Sequence, residues 1–494
     1  MAKAWLLRLS ALAIFACLLL VPQNLSAQGC TPKVAEPVIY GPSLCSGANF
    51  GSTAYIDASV FYNSGKYGDI CGTINAILLG ETSPAYPTAG AVIDARGILQ
   101  APPVGSNDGL SIPCTTNPFL GVSVPSTVLL PATNIQISKM WKPPSNTRII
   151  GDNPTPGAPK PGSNVSTLQV QNGFSDLAMI EMCPSGTCTG ISIEHIAMNA
   201  QEPTGTQNIL PVYGIYNLGA QDQSYVDDVN LQNFEQAGIF VATTAQGSGP
   251  YSHINFGAAS QCSSSTNCPA CVVLQSQTRG VHGATCIGSS AVSQKSGVAY
   301  AAIYVQASNN SIRDIHVEDF WDGVQVGGTT AISPSVNNVV IANVTAANNG
   351  TGSGGVVNTV HICGQYGSTY GTCTAPVNAV SDVTATGISI EGNQFATWSA
   401  LRDDVTGTTI APPSGSSSTI WLSGSYILGD QIGTSSVQYN RFSTSPAVPS
   451  WGVGAISVSA GATCPAIGAL YSNTKGASGS TVYVCTTSGW EDLY

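Results

Sequence analysis

The chain has 494 residues, of which only 8% are charged, and its formal net charge is −11 at neutral pH. An acidic chain this poor in Lys and Arg is not expected to bind nucleic acid, whose phosphates attract basic surfaces. The same charge disfavours an acidic polysaccharide as a partner unless a local basic groove holds it, because long-range electrostatics would repel it.

A secretory signal peptide is predicted at residues 1–27. Lys3 and Arg8 precede a short apolar run, and small residues end at Ala27, where we place the cleavage. A lipoprotein signal that ends before Cys30 is the alternative. No later stretch of about twenty apolar residues follows, so we expect no transmembrane segment and a secreted or cell-surface protein. Removing the two basic residues leaves 13 Lys and Arg against 26 Asp and Glu, a net charge of −13.

After an N-terminal extension at 28–59, a short amphipathic helix is predicted at 69–79, with Asp69 as its N-cap. Its apolar face is formed by Ile70, Ile74 and Ile77. A strand at 91–98 follows it. We expect this helix to cover the open end of a stack of strands, because such caps prevent edge-to-edge association.

A six-residue pattern then recurs: apolar, any residue, Asp/His/Asn, apolar, any residue, apolar. It occurs as IEHIAM at 193, VDDVNL at 226, YSHINF at 251, IRDIHV at 312, VNNVVI at 336 and VSDVTA at 380. The start-to-start gaps are 33, 25, 61, 24 and 44 residues. Gaps of 24 and 25 indicate one structural unit, and the gap of 61 indicates an extra coil.

Units this short cannot bury their own apolar face, so they must stack on one another. The chain lacks the leucine consensus of leucine-rich repeats and the Trp-Asp signature of 40-residue propeller blades. We therefore predict an all-β fold, a right-handed parallel β-helix over 60–440. One column of its core is predicted to contain Val229, Ile254, Ile315 and Val339.

Fourteen cysteines remain after the signal peptide, and an even number in an exported chain favours disulfides. The close pairs predicted to bond are Cys183–Cys188, Cys363–Cys373 and Cys464–Cys485. A further cluster contains Cys262, Cys268, Cys271 and Cys286. The C-x-x-C spacing of Cys268 and Cys271 leaves a zinc site as the alternative for that cluster.

A linker is predicted at 441–460 and a small module at 461–494. The module reads as a β-hairpin, with ALYSNT and TVYVC as its strands. Its aromatic residues are Tyr471, Tyr483, Trp490 and Tyr494. They form either the core of this small module or a surface that stacks on sugars.

The stretch SIRDIHVEDFWDGVQVGG, 311–328, concentrates charge in a charge-poor chain. Period-two alternation turns His316 and Glu318 outward, and stacking places Asp227 and Asp228 on the same wall of a groove. We therefore predict catalytic roles for Arg313, His316, Glu318, Asp227 and Asp228. Substrate contacts are predicted for Trp321, Asp314, Asp319 and Asp322.

Each of these residues also has a structural interpretation. A short polar residue at the third position of the repeat can serve a turn, because it hydrogen-bonds nearby backbone. His316 and Glu318 can be solvated outward residues, and Asp319 and Asp322 can shape a turn. The extra coil should separate the two charged groups by about 10 Å or more, at ~4.8 Å per coil, which suits separate sugar subsites.

The helix followed by VIDARG, then W-KPPSNTRIIGDN at 141–153 and the repeats, resembles the pectate-lyase-like right-handed β-helix superfamily. The resemblance covers roughly residues 60–440 and implies the fold. That superfamily includes polysaccharide lyases, hydrolases, epimerases, phage tailspikes and non-enzymatic surface proteins. Of the hydrolase motifs, the chain has Asp227-Asp228, and only the segment 280–283, GVHG, approaches another.

For a lyase, the resemblance implies an Arg or Lys base and calcium bound by acidic ligands. Arg313 beside Asp314, with His316 and Glu318 close by, matches the first requirement, and the calcium ligands stay open. The sequence thus predicts a secreted carbohydrate-active protein, a polysaccharide lyase or glycoside hydrolase with a polysaccharide partner. A non-catalytic, adhesin-like protein that binds glycans is the alternative, and the oligomeric state is left open.

Overall fold

A computed structural model describes a large part of the chain. The described residues are 55–82, 90–98, 111–154, 165–184, 186–200, 212–257, 269–288, 301–320, 322–328, 336–347, 356–365, 380–391, 397–403, 408–410, 420–422, 451–454, 470–473 and 482–492. In this part of the chain, no helix is long and apolar enough to cross a membrane.

Two helices and twenty-eight strands are described. In chain order they are β1 (Tyr55–Asp57), α1 (Ala58–Tyr62), α2 (Ile70–Leu78), β2 (Ala91–Asp94), β3 (Ser111–Cys114), β4 (Ser126–Leu129), β5 (Asn134–Ile137), β6 (Thr147–Ile150), β7 (Thr167–Val170), β8 (Ala178–Met182), β9 (Ser192–Asn199), β10 (Tyr213–Asn217), β11 (Tyr225–Gln232), β12 (Ala237–Val241), β13 (Tyr251–Gly257), β14 (Ala270–Leu274), β15 (Val281–Ile287), β16 (Ala301–Val305), β17 (Ser311–Glu318), β18 (Asp322–Gly328), β19 (Val336–Ala347), β20 (Val356–Gln365), β21 (Val380–Glu391), β22 (Thr397–Asp403), β23 (Thr408–Ile410), β24 (Ile420–Leu422), β25 (Trp451–Gly454), β26 (Leu470–Asn473), β27 (Val482–Thr486) and β28 (Gly489–Asp492).

These strands form the predicted right-handed parallel β-helix. One sheet, sheet A, runs β1-β2-β4-β6-β9-β11-β13-β15-β17-β19-β21-β24, with β3, β5 and β7 attached beside it. A second sheet, sheet B, runs β8-β10-β12-β14-β16-β18-β20-β22-β23. From β8 to β21 the strands alternate between the two sheets, and neighbours within a sheet pair in parallel. At the last edge of each sheet the pairing is antiparallel: β24 pairs with β21 in sheet A, and β23 pairs with β22 in sheet B.

The core lies between the sheets and is built from the inward positions of the repeat. The first pattern position stacks Ile193, Val226, Tyr251, Val281, Ile312 and Ile341. All six side chains are completely buried. Burying each such side chain stabilises the fold by roughly 1.5–3 kcal/mol, so this continuous stack supplies what a single short unit cannot.

The predicted core column is correct for three of its four members. Val229, Ile254 and Ile315 stack with Ala284 between the last two, and Ala284 lies on the extra coil that the gap of 61 predicted. The placement of Val339 in this column is wrong, because the residue of β19 that pairs with Ile315 is Val344. The reason is that β19 contains the pattern twice, as VNNVVI at 336 and IANVTA at 341, and the second copy aligns with β17.

The gap of 24 residues is therefore not one coil, whereas the gap of 25 is. In the observed register the spacings from 193 onward are 33, 25, 30, 31, 29 and 44 residues. Coils of one β-helix can differ in length because the turns between sheets absorb the added residues, whereas the ladder positions stay fixed.

The helix predicted at 69–79 is α2, and its N-cap is Asp69, whose side chain accepts a hydrogen bond from the backbone N of Gly72 at 2.8 Å. Its isoleucines are at most 1% exposed and pack in the main core. The helix thus closes the N-terminal end of the apolar stack. A disulfide between Cys71 and Cys114, which the sequence did not suggest, attaches it to β3.

The predicted Cys183–Cys188 disulfide is present, with the Cα atoms 5.5 Å apart. Cys271 bonds to Cys286 across the cysteine cluster, which removes Cys271 from a zinc site. Cys373 and Cys464 lie outside the described residues, as does the side chain of Cys363, so those two pairings stay predictions. Cys485 is itself disulfide-bonded.

The predicted C-terminal hairpin is present as β26 and β27, in which Tyr471 pairs with Tyr483. Two further strands, β25 and β28, complete a four-stranded sheet. Because β25 falls within 441–460, part of the predicted linker is a strand. Tyr483 and Trp490 are 7% and 2% exposed, which makes them core residues; Tyr494 lies outside the described residues.

Candidate functional site

The outer face of sheet A carries the residues that the sequence singled out. We number positions from the first residue of the six-residue pattern. In each coil, positions two, five and seven point outward, and the apolar positions between them point into the core. The second position stacks Glu194, Asp227, Ser252, His282, Arg313 and Ala342 from coil to coil. The fifth stacks Ala197, Asn230, Asn255, Thr285, His316 and Thr345.

The third position of the repeat is a backbone feature. Its φ angle lies between 50° and 57° at His195, Asp228, His253, Asp314 and Asn343, and it is 66° at Gly283. L-residues adopt this left-handed conformation rarely, and Asn, Asp and Gly tolerate it best. The position thus has a backbone role, as the structural interpretation proposed, but it lies within a strand and not in a turn. The left-handed residue recurs in the six successive sheet-A strands from β9 to β19.

Histidine–carboxylate pairs cover the first part of this face. His195 Nδ1 lies 2.7 Å from Asp228 Oδ2, and His253 Nδ1 lies 2.7 Å from Asp227 Oδ1. Asp227 also accepts a hydrogen bond from Ser252 Oγ at 2.6 Å. Burial alone would raise the pKa of Asp227, but the hydrogen bonds from Ser252 and His253 hold it below its ordinary value. Asp227 is thus a stable anion.

Arg313 differs from these residues, because it forms no ion pair with any described residue. Its Nε donates to Ser311 Oγ at 2.7 Å, and its side chain is exposed. Across the ladder its Cα partner is His282. Burial, and then the nearby guanidinium, lower the pKa of His282, although Asp314 opposes the shift. A neutral imidazole therefore lies beside an exposed guanidinium that is available to an anion.

His282 was not among the predicted site residues. The sequence signal was the segment 280–283, GVHG, which was noted only for its approximate likeness to a hydrolase motif. In the structure Gly283 occupies the left-handed position of that coil. His282 therefore faces outward beside Arg313, and its Nε2 is buried without a hydrogen-bond partner.

The other end of β17 carries a second polar group. His316 Nε2 lies 2.8 Å from Glu318 Oε1, and both side chains face outward as predicted. Asp319 follows in the left-handed conformation, with φ of 56°, so its role in a turn is confirmed. Burial and the neighbouring Glu318 raise the pKa of Asp319.

The structure keeps the two predicted catalytic groups apart. Asp227 lies on β11 and Arg313 on β17, with β13 and β15 between them. Three ladder steps of ~4.8 Å separate them by about 14 Å. The predicted separation is confirmed, so the two groups do not form one catalytic pair.

Asp322, which the sequence grouped with the substrate contacts near Arg313, does not lie on the outer face of sheet A. It lies in β18 on sheet B, is 1% exposed, and accepts hydrogen bonds from Asn358 Nδ2 and His361 Nδ1, both at 2.6 Å. The chain crosses to the second sheet directly after Phe320, so Asp322 leaves the face that carries Arg313. Trp321, predicted at the rim, lies outside the described residues.

Glu194 shows that charge on this face can be structural. Arg148 binds its carboxylate through two nitrogens at 2.9–3.1 Å, and Ser192 and Tyr225 donate to the same oxygen. With all these partners, Glu194 is not available to a ligand.

Among the described residues, no group of three or more His, Cys, Asp or Glu converges as a metal site would require. The structure therefore identifies no calcium ligands in this part of the chain.

No family model matches the chain, and no curated protein matches it. Among solved structures, the tailspike protein of E. coli bacteriophage HK620 in complex with pentasaccharide is similar at 11% identity and a TM-score of 0.37, covering 57% of this chain and 54% of that one. A mutant of the same tailspike has 10% identity and a TM-score of 0.35, covering 56% and 52%. ORF18 of Geobacillus virus E2 has 10% identity and a TM-score of 0.24, covering 65% and 59%. The chain spans about half the length of the tailspikes, and likenesses this distant assign no activity.

Proposed function

We propose that the protein is a secreted carbohydrate-active β-helix protein that binds an extracellular polysaccharide along the outer face of sheet A and cleaves it. The observation that carries the proposal is the pair Arg313 and His282. An exposed guanidinium without an ion pair among the described residues lies beside an imidazole on the neighbouring strand.

Elimination is the reaction that this pair fits best. A guanidinium binds a carboxylate through two parallel hydrogen bonds, so Arg313 would hold the carboxylate of a uronic acid. His282, kept neutral, would accept at Nδ1 the proton from the carbon beside that carboxylate, because its Nε2 is buried. The freed electron pair forms a carbon–carbon double bond, the bond to the linking oxygen breaks, and that oxygen takes a proton from water. No step is assigned to calcium.

The remaining polar groups would bind other sugars of the same chain. Outward hydrogen-bonding groups repeat every ~4.8 Å along the stack, so an extended polymer can contact several coils. On this view Asp227 and Ser252 contact sugar hydroxyls three and two coils away from Arg313, and His316 with Glu318 contacts hydroxyls at the other end of β17. The acidic net charge then slows encounter with the polymer without preventing local binding at Arg313.

A non-catalytic glycan-binding protein is the second candidate. It is favoured by the histidine–carboxylate pairs, which satisfy one another in the absence of a ligand. Such pairs are also what a solvated outer face would contain.

The test is activity and binding on a panel of acidic and neutral polysaccharides, with and without a chelator. Elimination predicts unsaturated products, detected by their ultraviolet absorbance, and their loss in Arg313→Ala and Glu318→Ala with nearly unchanged melting temperatures. Lys139→Ala and Glu235→Ala are matched controls, because both residues are exposed and lie outside the coils that carry β15 and β17. Binding without any product would favour the second candidate, and full activity and binding in both site variants would exclude this face as the site.

A further inference from the structure

The left-handed third position of the repeat carries a side chain in five of its six described coils. The residues that fill it are His195, Asp228, His253, Asp314 and Asn343. On β15 the position is Gly283, which has no side chain. A Cβ at Gly283 would lie 3.4 Å from Cδ2 and 3.8 Å from Nε2 of His253. The imidazole of His253 therefore lies against the backbone of β15, the strand that carries His282.

This imidazole joins two coils of the stack. Its Nδ1 lies 2.7 Å from Asp227 Oδ1 on β11, and its opposite edge faces Gly283 on β15. Because the Asp227 carboxylate is a stable anion, it accepts the Nδ1 proton, and the ring gains or loses its second proton at Nε2. The side chain of His253 is 71% exposed, so a ligand on the outer face of sheet A can reach this nitrogen.

The two neighbouring imidazoles, His253 and His282, have contrasting surroundings. The hydrogen bond to Asp227 favours the charged form of His253, because a carboxylate stabilises an imidazolium. His282 instead lies beside the like charge of Arg313, and burial together with that charge holds its pKa low. Titratable pairs with opposed surroundings are typical of an acid and a base that act in one reaction.

The positions of the three basic groups suit one sugar unit. His282 and Gly283 are consecutive residues, so the imidazole of His282 and Nε2 of His253 meet on β15. Arg313 is the Cα partner of His282 on the next strand. It lies two strand spacings, about 10 Å, from His253, a distance that its own long side chain and one sugar ring can span together.

We propose that His253 is the general acid of the elimination described above and that Asp227 positions it. The inference rests on the proposed function and adds the source of the leaving-group proton. His282 Nδ1 takes the proton from the carbon beside the carboxylate, the electron pair forms the double bond, and the bond to the linking oxygen breaks. That oxygen takes its proton from His253 Nε2 in place of water. His282 ends the step protonated and His253 ends it neutral, and proton exchange with solvent restores both.

The experiment compares two substrates of the full-length protein, because an acid is needed only when the departing oxygen is a poor leaving group. One is a uronic-acid polysaccharide, and the other is a uronate that eliminates 4-nitrophenolate, which departs without a proton. In His253→Asn, turnover of the polysaccharide should fall about 100-fold or more, whereas release of 4-nitrophenolate should change by less than about threefold. Binding of the polysaccharide, measured by calorimetry, should stay close to that of the wild type. Asn is chosen because Asn343 adopts the same left-handed conformation in another coil.

His195→Asn is the matched control, because His195 pairs with Asp228 in the same way on β9, two coils from His253. It should leave both reactions unchanged. Should His253→Asn fail to fold, Asp227→Asn keeps the imidazole, removes the anion and should give the same split between the two substrates. Full polysaccharide turnover in the folded variant, or an equal loss on both substrates, overturns this proposal alone. A wild type that forms no unsaturated product overturns the proposed function as well.

Discussion

Two aspartates, Asp227 on β11 and Asp319 directly after β17, experience opposite environments. Asp227 accepts hydrogen bonds from Ser252 and His253, and its pKa lies below the ordinary value. Asp319 is partly buried next to Glu318, and its pKa lies above that value. The local contacts therefore predict opposite effects of neutralising the two carboxylates.

Asp227→Asn should lower the melting temperature at pH 7. A depressed pKa means that the ionised carboxylate stabilises the fold above the unfolded pKa of about 3.9, and that this stabilisation is lost as the pH falls through the folded pKa. The variant and the wild type should converge in strongly acidic buffer. Thermal unfolding from pH 7 to pH 2 measures this, and a difference that grows on acidification would contradict it.

Asp319→Asn should raise the melting temperature at pH 7. Here the folded pKa is the higher one, so ionisation costs stability as the pH rises from about 3.9 through the folded value. Asn also tolerates the left-handed backbone of this residue. The gain should vanish below about pH 3.9 in the same unfolding series, with Asp152→Asn as a control for one lost surface charge. A destabilised variant at pH 7 would show that the ionised carboxylate has a partner.

At the level of the element, the left-handed third position explains why the repeat carries Asp, His, Asn or Gly there. Gly283→Asn should be tolerated, because Asn343 adopts the same conformation in another coil. Gly283→Val should cost about 1–2 kcal/mol or more, because a side chain with Cβ disfavours this region and a β-branched one does so most. Urea unfolding of the two variants tests this, and equal stabilities would contradict it.

The disulfide between Cys71 and Cys114 ties the capping helix to β3 over a sequence separation of 43 residues. Replacing both cysteines by Ala should lower the free energy of unfolding by about 2–4 kcal/mol. Peptide mapping without reduction should recover the pair as one linked peptide. Free thiols at both positions would show that packing alone holds the cap.

The spacing of apolar residues and the recurrence of the six-residue pattern were enough to predict the parallel stack, the capping helix, the extra coil and the hairpin. It could not choose between two copies of one pattern in β19, since both copies place apolar residues inward. Nor could it locate the crossover after Phe320 that carries Asp322 to sheet B. The Cys71–Cys114 pair has no local signal, and His282 was obscured because Gly283, not a polar residue, fills the third position of its coil.

At the scale of the whole molecule, an acidic β-helix presents Arg313 on the outer face of sheet A, exposed and without an ion pair among the described residues. The central claim is that Arg313 binds an acidic group of a polysaccharide there. The direct measurement is titration calorimetry of a uronic-acid polysaccharide against wild type, Arg313→Ala, Arg313→Lys and Lys139→Ala, which removes one exposed positive charge far from β17. We expect binding to be lost in Arg313→Ala, weakened in Arg313→Lys, which keeps the charge but not the planar fork, and unchanged in Lys139→Ala. Binding by Arg313→Ala with the affinity of the wild type would contradict the claim.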